Sequence, residues 1–268
     1  MNITMRKYRL FIFNFIIALG LLLFAIIITN NTNSYHVKKS SSKIHKLNYT
    51  ISEKDKIDGV FARYSNSLYG VDFSHYQGAI DWQNVKNIHG STPISFVFLR
   101  STMGSHSKDK YFKHNWKKAK KHNVIVGAYH YYRPNENSTK QANNFIKTIK
   151  LAKGDLPPVL DIEKYTTHQT IKSLKKGLKN WLNIVEKHYG VKPIIYTGDT
   201  FYRKYLSDGK FDKYPLWIAN FNKINHPQTS KWKIWQFSEQ GIIKGSNEKV
   251  DFNVFNGSRA EFNRLLVN

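Results

Sequence analysis

The sequence predicts an α/β fold in which about eight short strands close into a barrel, preceded by one apolar N-terminal helix. Two observations predict the barrel: from Tyr69 onward short apolar runs alternate with amphipathic stretches, and the last three runs leave little room for helices between them. An uncharged run over residues 10–29 predicts the separate helix. The chain has no cysteine, so disulfides and thiolate metal sites are excluded.

The N-terminal segment is typical of an export signal. A short basic tail, residues 1–9, precedes the apolar run over residues 10–29, and about 20 apolar residues suffice for a helix to cross a bilayer. Residues 30–33 (Asn-Asn-Thr-Asn) offer no cleavage site of the small-x-small type, which favours a transmembrane signal anchor over a cleaved signal peptide. We therefore expect a membrane-anchored protein whose folded domain lies on the extracytoplasmic side (periplasm or cell surface), with secretion as the alternative.

The remaining chain divides into a linker and one folded domain. Residues 30–67 are rich in Asn, Ser and Lys, which predicts a polar linker that becomes ordered near Val60 and Phe61. Residues 68–268 are the predicted barrel. Its predicted strands are Tyr69–Phe73, Ile94–Arg100, Val124–Tyr131, Pro158–Ile162, Pro193–Tyr196, Leu216–Ala219, Lys233–Phe237 and Val250–Phe252. We expect substantial helices after the first four strands, including Lys108–His122, Ser138–Leu151 and Thr170–Tyr189, and a short one, Thr200–Leu206, after the fifth.

The charge balance is strongly basic. Lysine and arginine number 42 against 18 acidic residues, a formal net charge of +24. Such an excess is typical either of a protein that binds a polyanion or of a lysine-rich solubilising surface, and the sequence leaves both open. No helix-turn-helix, zinc-finger or aromatic ribonucleoprotein motif accompanies the charge, so nucleic acid is not an expected partner. For an exported protein, the expected polyanions are anionic wall polymers.

Two acids end the fourth predicted strand. Asp161 and Glu163 follow the apolar residues Val159 and Leu160, and side chains at i and i+2 of a strand share a face. Both carboxyls would therefore point into one mouth of the barrel, where such barrels carry their active sites. Two close acids raise the pKa of one member, which suits a general acid that protonates a glycosidic oxygen. The alternative is a pair of acids at a surface strand end.

Two further acids strengthen this interpretation. Asp72 ends the first predicted strand and Asp251 lies in the last. Because the first and last strands of a closed barrel are neighbours, we expect these two side chains to be adjacent. Four acids would then share one rim in a chain that has few acids.

Aromatic side chains near strand ends supply the second half of a predicted sugar site. A flat ring suits the apolar face of a pyranose, while acids and amides bind its hydroxyls. Strand alternation places Tyr129 and Tyr131 on one face and Tyr132 on the other. The predicted substrate-binding residues are Tyr129, Tyr131, Tyr196, Trp217, Trp235 and Gln236, and the alternative is that half of them are barrel core. The histidines and acids show no metal-ligand spacing, so no metal site is predicted.

Eight segments in order resemble glycoside hydrolase family 25, the lysozymes of the Chalaropsis and phage endolysin type. They begin with GVDFSHYQGAIDW (Gly70–Trp82) and include PPVLDIE (Pro157–Glu163). The others are Asp109–Pro134, Gln141–Phe145, Ile194–Gly198, Pro215–Phe221, Trp232–Ser238 and Val250–Gly257. The resemblance covers the chain from Tyr69 to its C-terminus. It implies an irregular TIM-like (β/α)5(β)3 barrel that hydrolyses the β-1,4 bond between N-acetylmuramic acid and N-acetylglucosamine in peptidoglycan, without a cofactor.

The resemblance also implies roles for the four acids. Glu163 is implied as the general acid, and Asp161 as the group that orients the substrate acetamide or stabilises an oxocarbenium-like transition state. Asp72 and Asp251 would position or charge-balance the acid. Whether an enzyme nucleophile or the substrate's own N-acetyl group acts in the second step stays open. The chain departs from the family pattern at Met103, where an acidic or amide side chain is common.

Two other functions remain as alternatives to a peptidoglycan hydrolase. One is a catalytically inactive barrel that binds glycans, against which the four rim acids argue. The other is a glycosidase that acts on another acetamido-sugar polymer, such as chitin.

Overall fold

The computed structural model of the chain describes residues 53–222 and 226–268. The predicted basic tail, the predicted membrane helix over residues 10–29 and most of the predicted linker lie outside the described residues. Within the described ranges, no helix is long and apolar enough to cross a bilayer. The compact unit that carries the barrel comprises Lys56–Asn268.

The elements follow one another as strands and helices of an α/β domain. In chain order they are α1 (residues 53–63), β1 (Leu68–Phe73), β2 (Asn87–His89), β3 (Thr92–Met103), β4 (Ser107–Lys108), α2 (Phe112–Lys121), β5 (Val126–Tyr131), α3 (Ser138–Thr148), β6 (Val159–Asp161), α4 (Ile171–Tyr189), β7 (Ile194–Gly198), α5 (Asp199–Phe201) with a π-helical turn (Tyr202–Leu206), β8 (Leu216–Ala219), β9 (Trp232–Gly241), β10 (Val250–Phe255) and α6 (Arg259–Leu265).

Eight of these strands close a barrel, which confirms the predicted mixed α/β barrel and its strands. The order around the barrel is β1, β3, β5, β6, β7, β8, β9 and β10, and β10 pairs with β1. Neighbours are parallel from β1 to β9, whereas β10 runs antiparallel to both β9 and β1. The short strands β2 and β4 are additions that pair with β3.

The prediction of a helix after the first barrel strand was wrong. Residues 74–91 form turns and the short strand β2. Their buried side chains Ile80, Trp82, Val85 and Ile88 cover the barrel in place of a helix. Asn115 of α2 fastens this segment, because its side chain accepts from the Ile80 backbone at 3.1 Å and donates to the Gly78 carbonyl at 2.9 Å. Helices do follow the second, third and fourth barrel strands, and a short one follows the fifth.

Residues 56–63 of helix α1 belong to the compact unit that carries the barrel, although they fall within the predicted linker. Phe61 stacks on Tyr69 at 4.3 Å between ring centroids and meets Phe237 edge-on at 5.8 Å. The Tyr69 hydroxyl donates to the Val60 carbonyl at 3.2 Å. Strands β9 and β10 have no crossover helix to cover their outer face, and α1 provides that cover from the N-terminal side.

The barrel interior is a stack of large apolar side chains beneath the predicted site. Phe262 of α6 closes the lower end and packs on Phe96 and Phe255 at 5.4 and 5.2 Å between centroids. Above them Phe98 stacks on Trp217 at 4.5 Å. All five of these rings are almost fully buried, so the interior is a packed core that supports the opposite, carboxyl end of the strands.

Candidate active site

The four predicted acids meet in one cleft of about 770 Å³ at the carboxyl end of the parallel strands. Asp72 lies near the end of β1, and Asp161 is the last residue of β6. Asp251 lies near the start of β10, which is antiparallel, so it reaches the same rim and pairs in register with Asp72. Glu163 lies two residues beyond β6 and is exposed in the cleft.

Two amide side chains hold Asp72. Gln236 Nε2 and Asn253 Nδ2 donate to Asp72 Oδ2 at 2.9 and 2.8 Å. The amide oxygens accept in turn, Gln236 from the Tyr196 hydroxyl at 2.8 Å and Asn253 from the Trp217 indole at 2.8 Å. Because an indole N–H can only donate, Asn253 must turn its oxygen to Trp217 and its NH2 group to Asp72. The carboxylate is therefore oriented by groups whose own orientation is fixed.

Asp72 and Asp251 share a proton. Burial, with the charge of Asp72 and a hydrogen bond to it, raises the pKa of Asp251 to about 9. Burial also raises the pKa of Asp72, but hydrogen bonds from Asn253, Gln236 and Asp251 limit the rise to about 6. At neutral pH a protonated Asp251 therefore donates to an ionised Asp72, and the pair carries one negative charge instead of two.

Asp161 and Glu163 form a second pair with a different exposure. The Asp161 side chain is 3% exposed, and its Oδ1 has no hydrogen-bond partner within the described chain. Burial raises the pKa of Asp161 well above its ordinary value, and the charge of Glu163 and a hydrogen bond to it act in the same direction. Asp161 is therefore harder to ionise than an ordinary carboxyl, and it lies beside an exposed carboxyl that a ligand in the cleft can reach. General acid catalysis requires this arrangement.

Tyr129 and Tyr131 line the cleft, as strand alternation predicts. Burial raises the pKa of Tyr131 to about 12 and that of Tyr129 well above its ordinary value, so both hydroxyls stay neutral. Tyr132 faces the other way, where a Cβ on Gly177 of α4 would lie 2.5 Å from its hydroxyl. The two cleft tyrosines thus offer neutral donors and ring faces to a ligand.

Four predicted substrate-binding residues lie outside the lining that the described residues give the cleft. Tyr196, Gln236 and Trp217 are absent from the described lining of the cleft and lie in the layer below, where they orient Asp72. Trp235 lies on the outer face of β9, 3% exposed, and donates its indole N–H to the Asn220 carbonyl at 2.9 Å. Its ring packs against Trp232 and Phe237, so a ligand in the cleft does not reach it.

Arg100 is a cleft residue that the sequence analysis missed. It lines the cleft at the end of β3, and its Nε donates to the buried Asp109 carboxylate at 3.1 Å. The guanidinium also contacts His75 Nδ1 and lies 5.6 Å from the centroid of the Tyr76 ring. Phe96 and Phe98 point into the barrel, so the period of two that identified the acids also predicts that Arg100 points inward.

Further residues complete the cleft, and of these the sequence analysis noted only Met103, as a departure from the family pattern. Tyr76 lies at the rim, 73% exposed, and Glu239 faces Asp251, whose pKa its charge helps to raise. Met103 also lines the cleft, where the Arg133 guanidinium lies 3.5 Å from its sulfur and 3.2 Å from Glu136. No group of histidines and acids within the described ranges is arranged to hold a metal ion.

Comparisons with known proteins agree with this geometry. The profile of glycosyl hydrolases family 25 matches residues 71–246. The uncharacterised protein YegX of Escherichia coli K12 is 37% identical over 75% of this chain and 74% of its own length, and Lysozyme M1 of Streptomyces globisporus is 32% identical over 76% and 73%. The structure of a family 25 glycosyl hydrolase from Bacillus anthracis superimposes with a TM-score of 0.67 at 34% identity, covering 75% of this chain and 94% of that one. The chain therefore belongs to glycoside hydrolase family 25.

Proposed function

We propose that this glycoside hydrolase is a lysozyme that cleaves the β-1,4 bond between N-acetylmuramic acid and N-acetylglucosamine in peptidoglycan. The observation that carries the proposal is the buried Asp161 carboxyl, whose pKa is raised, beside the exposed Glu163 in an open cleft. The similarity to Lysozyme M1 supports this substrate among the glycans that the family could cut.

In the proposed mechanism Glu163 is the general acid. The proton held between Asp161 and Glu163 passes from Glu163 to the glycosidic oxygen as the bond from that oxygen to the anomeric carbon breaks. Water then adds to the anomeric carbon and returns a proton to Glu163.

The remaining groups act on the positive charge that develops at the anomeric carbon. Asp161, once it has given its proton to Glu163, is a negative group that stabilises the oxocarbenium-like transition state or orients the substrate acetamide. The Asp72–Asp251 pair keeps one negative charge in the same cleft. Tyr129 and Tyr131 bind the sugar ring. This assignment holds whether the second step uses an enzyme carboxylate or the substrate's N-acetyl oxygen.

Product analysis tests the proposal. Wild-type enzyme and Glu163→Gln are incubated with purified peptidoglycan, and soluble fragments are identified by mass spectrometry. We expect wild-type enzyme to release fragments with reducing-end N-acetylmuramic acid and Glu163→Gln to lose at least about 100-fold in rate. An inert wild type would favour the glycan-binding alternative, and release of products from chitin but not peptidoglycan would favour the other glycosidase.

We also propose that the enzyme acts outside the cytoplasmic membrane, held there by a transmembrane helix over residues 10–29. Its support is the length of the uncharged run and the basic residues Arg6, Lys7 and Arg9 before it. Fractionation of expressing cells with a C-terminal tag, followed by mass determination of the mature protein, tests this placement. A full-length protein in the membrane fraction supports the anchor, a shortened protein in the medium supports secretion, and a cytoplasmic protein contradicts both.

A further inference from the structure

The outer side of α2 carries a row of lysines with no acid among them. Lys113, Lys117 and Lys121 lie at i, i+4 and i+8, one above the other at about 6 Å intervals along the helix. Lys118 lies beside this row, and all four side chains are exposed. We call these four residues the α2 basic face. Like charges at this spacing repel one another, so the helix carries an electrostatic cost that a bound polyanion would relieve.

The inner side of the same helix is satisfied within the domain. Phe112, Asn115 and Ala119 are buried. Lys120 forms an ion pair with Asp155 at 2.8 Å and lies over the Trp116 ring. No acidic residue occurs in the sequence from residue 110 to residue 135, so near neighbours along the chain leave the outer lysines uncompensated.

The α2 basic face begins close to the rim of the active-site cleft. Asp109, which holds the cleft residue Arg100, precedes the helix by three residues and is itself buried. Because the helix starts at the carboxyl end of β3, it runs from the cleft rim down the side of the barrel. A wall polymer bound along the α2 basic face would therefore hold the active-site cleft close to the cell wall around that polymer.

We propose that the α2 basic face binds a phosphate-rich anionic wall polymer. A single row of charges along one helix suits a linear polyanion that lies parallel to it. A bilayer surface would also require large apolar side chains that insert among the lysines, and Phe112 and Trp116 of α2 pack inward instead. The inference rests on the proposed placement of the enzyme at the wall and deepens it, because it assigns polyanion binding, one of the two roles that the net charge left open, to one surface.

Binding to immobilised poly(glycerol phosphate) tests the inference. Full-length protein in a nonionic detergent is titrated at several NaCl concentrations, and K113Q/K117Q/K121Q is compared with wild type. We expect an affinity on the order of 100-fold lower at low salt and a weaker dependence on salt. The matched control is K172Q/K179Q/K187Q, which removes the same charge from exposed positions of α4 and should change affinity by less than about fivefold.

Four further measurements distinguish the possible outcomes. The charge-preserving K113R/K117R/K121R should bind the polymer like wild type, and all variants should show the same thermal midpoint. Equal losses in the α2 and α4 variants would overturn the inference in favour of general charge attraction. An α2-dependent binding to phosphatidylglycerol vesicles that exceeds binding to the polymer would overturn it in favour of lipid. Hydrolysis of a soluble glycan oligosaccharide is measured separately, so a loss of the proposed activity is distinguished from a loss of polymer binding.

Discussion

The indole N–H of Trp217 donates to the side-chain oxygen of Asn253 at 2.8 Å, and this one bond decides which group Asn253 presents to Asp72. Both residues are almost completely buried. Asn253 therefore has its NH2 group directed to Asp72 Oδ2 at 2.8 Å. A tryptophan in the layer below the cleft thus controls the environment of a carboxylate at the rim.

Trp217→Phe should reduce both stability and activity. The substitution leaves the buried Asn253 oxygen without a donor, which costs about 1–3 kcal/mol in the free energy of unfolding. It also allows the amide to rotate, so Asp72 loses a hydrogen bond that limits its pKa, and we expect roughly a tenfold fall in kcat. Denaturant unfolding and steady-state kinetics on a soluble glycan measure the two effects.

Trp235→Phe is the matched control for this variant. Trp235 is equally buried and also donates one indole hydrogen bond, but to the Asn220 carbonyl on the outer face of the barrel. We expect a similar loss of stability with kcat within about twofold of wild type. An equal loss of activity in the two variants would contradict a specific role for the bond from Trp217 to Asn253.

The contrast between these tryptophans also shows what the sequence could predict about the site. Adjacent residues of a strand face opposite sides, so Trp235 and Gln236 cannot both point into the barrel. The same rule, applied to Tyr129, Tyr131 and Tyr132, placed all three side chains as the structure has them. Alternation fixes relative faces, whereas the layer at which a side chain lies depends on strand register, which tertiary pairing determines.

The fold shows a similar division. The eight strands were predictable from their apolar runs, but α1 was hidden by the polar composition around it. Ile57, Val60, Phe61 and Tyr64 have the helical spacing i, i+3, i+4 and i+7, a signal that composition outweighed. In residues 74–91, which follow β1, the buried side chains have no helical period. Hydrogen bonds to Asn115 hold this segment against the barrel, and the apolar face of a helix does not.

The contribution of the cleft carboxyls to stability should fall as pH rises, because their pKa values are raised. Asp251, with a pKa of about 9 in the folded protein against an ordinary value near 4, binds its proton more tightly when folded. Its contribution to stability is therefore complete below about pH 4 and is lost progressively up to about pH 9. Asp251→Asn keeps a neutral donor to Asp72. At pH 9 its free energy of unfolding should exceed that of wild type by more than about 1 kcal/mol, and it should unfold at a higher temperature. At pH 5 the difference should be smaller. Calorimetry at both pH values measures this, and a difference independent of pH would contradict the assignment.

Arg100 should set the upper pH limit of activity. Its positive charge lowers the pKa of Asp161, against burial and the charge of Glu163. Arg100→Met removes that charge, so Asp161 should keep its proton to higher pH and the alkaline limb of kcat/KM should move upward by roughly one pH unit. Arg100→Lys retains the charge and should leave the limb near its wild-type position. A downward shift in Arg100→Met, or equal shifts in both variants, would show that the guanidinium acts through contacts and not through charge.

Gly127 should be intolerant of any side chain, because two core residues occupy the space beside it. A Cβ at this position would lie 2.4 Å from Phe98 Cε1 and 2.8 Å from Leu156 Cβ. Phe98 cannot move away freely, since it stacks on Trp217, which in turn holds Asn253. Gly127→Ala should therefore destabilise the protein by about 1–3 kcal/mol and lower kcat through displacement of Trp217.

The double variant Gly127→Ala/Phe98→Leu makes room for the methyl group and should be more stable than the sum of the two single changes predicts. A double-mutant cycle of unfolding free energies measures this difference. Simple additivity would show that the barrel absorbs the methyl group elsewhere, and that the stack from Gly127 through Phe98 and Trp217 does not transmit strain to the acids.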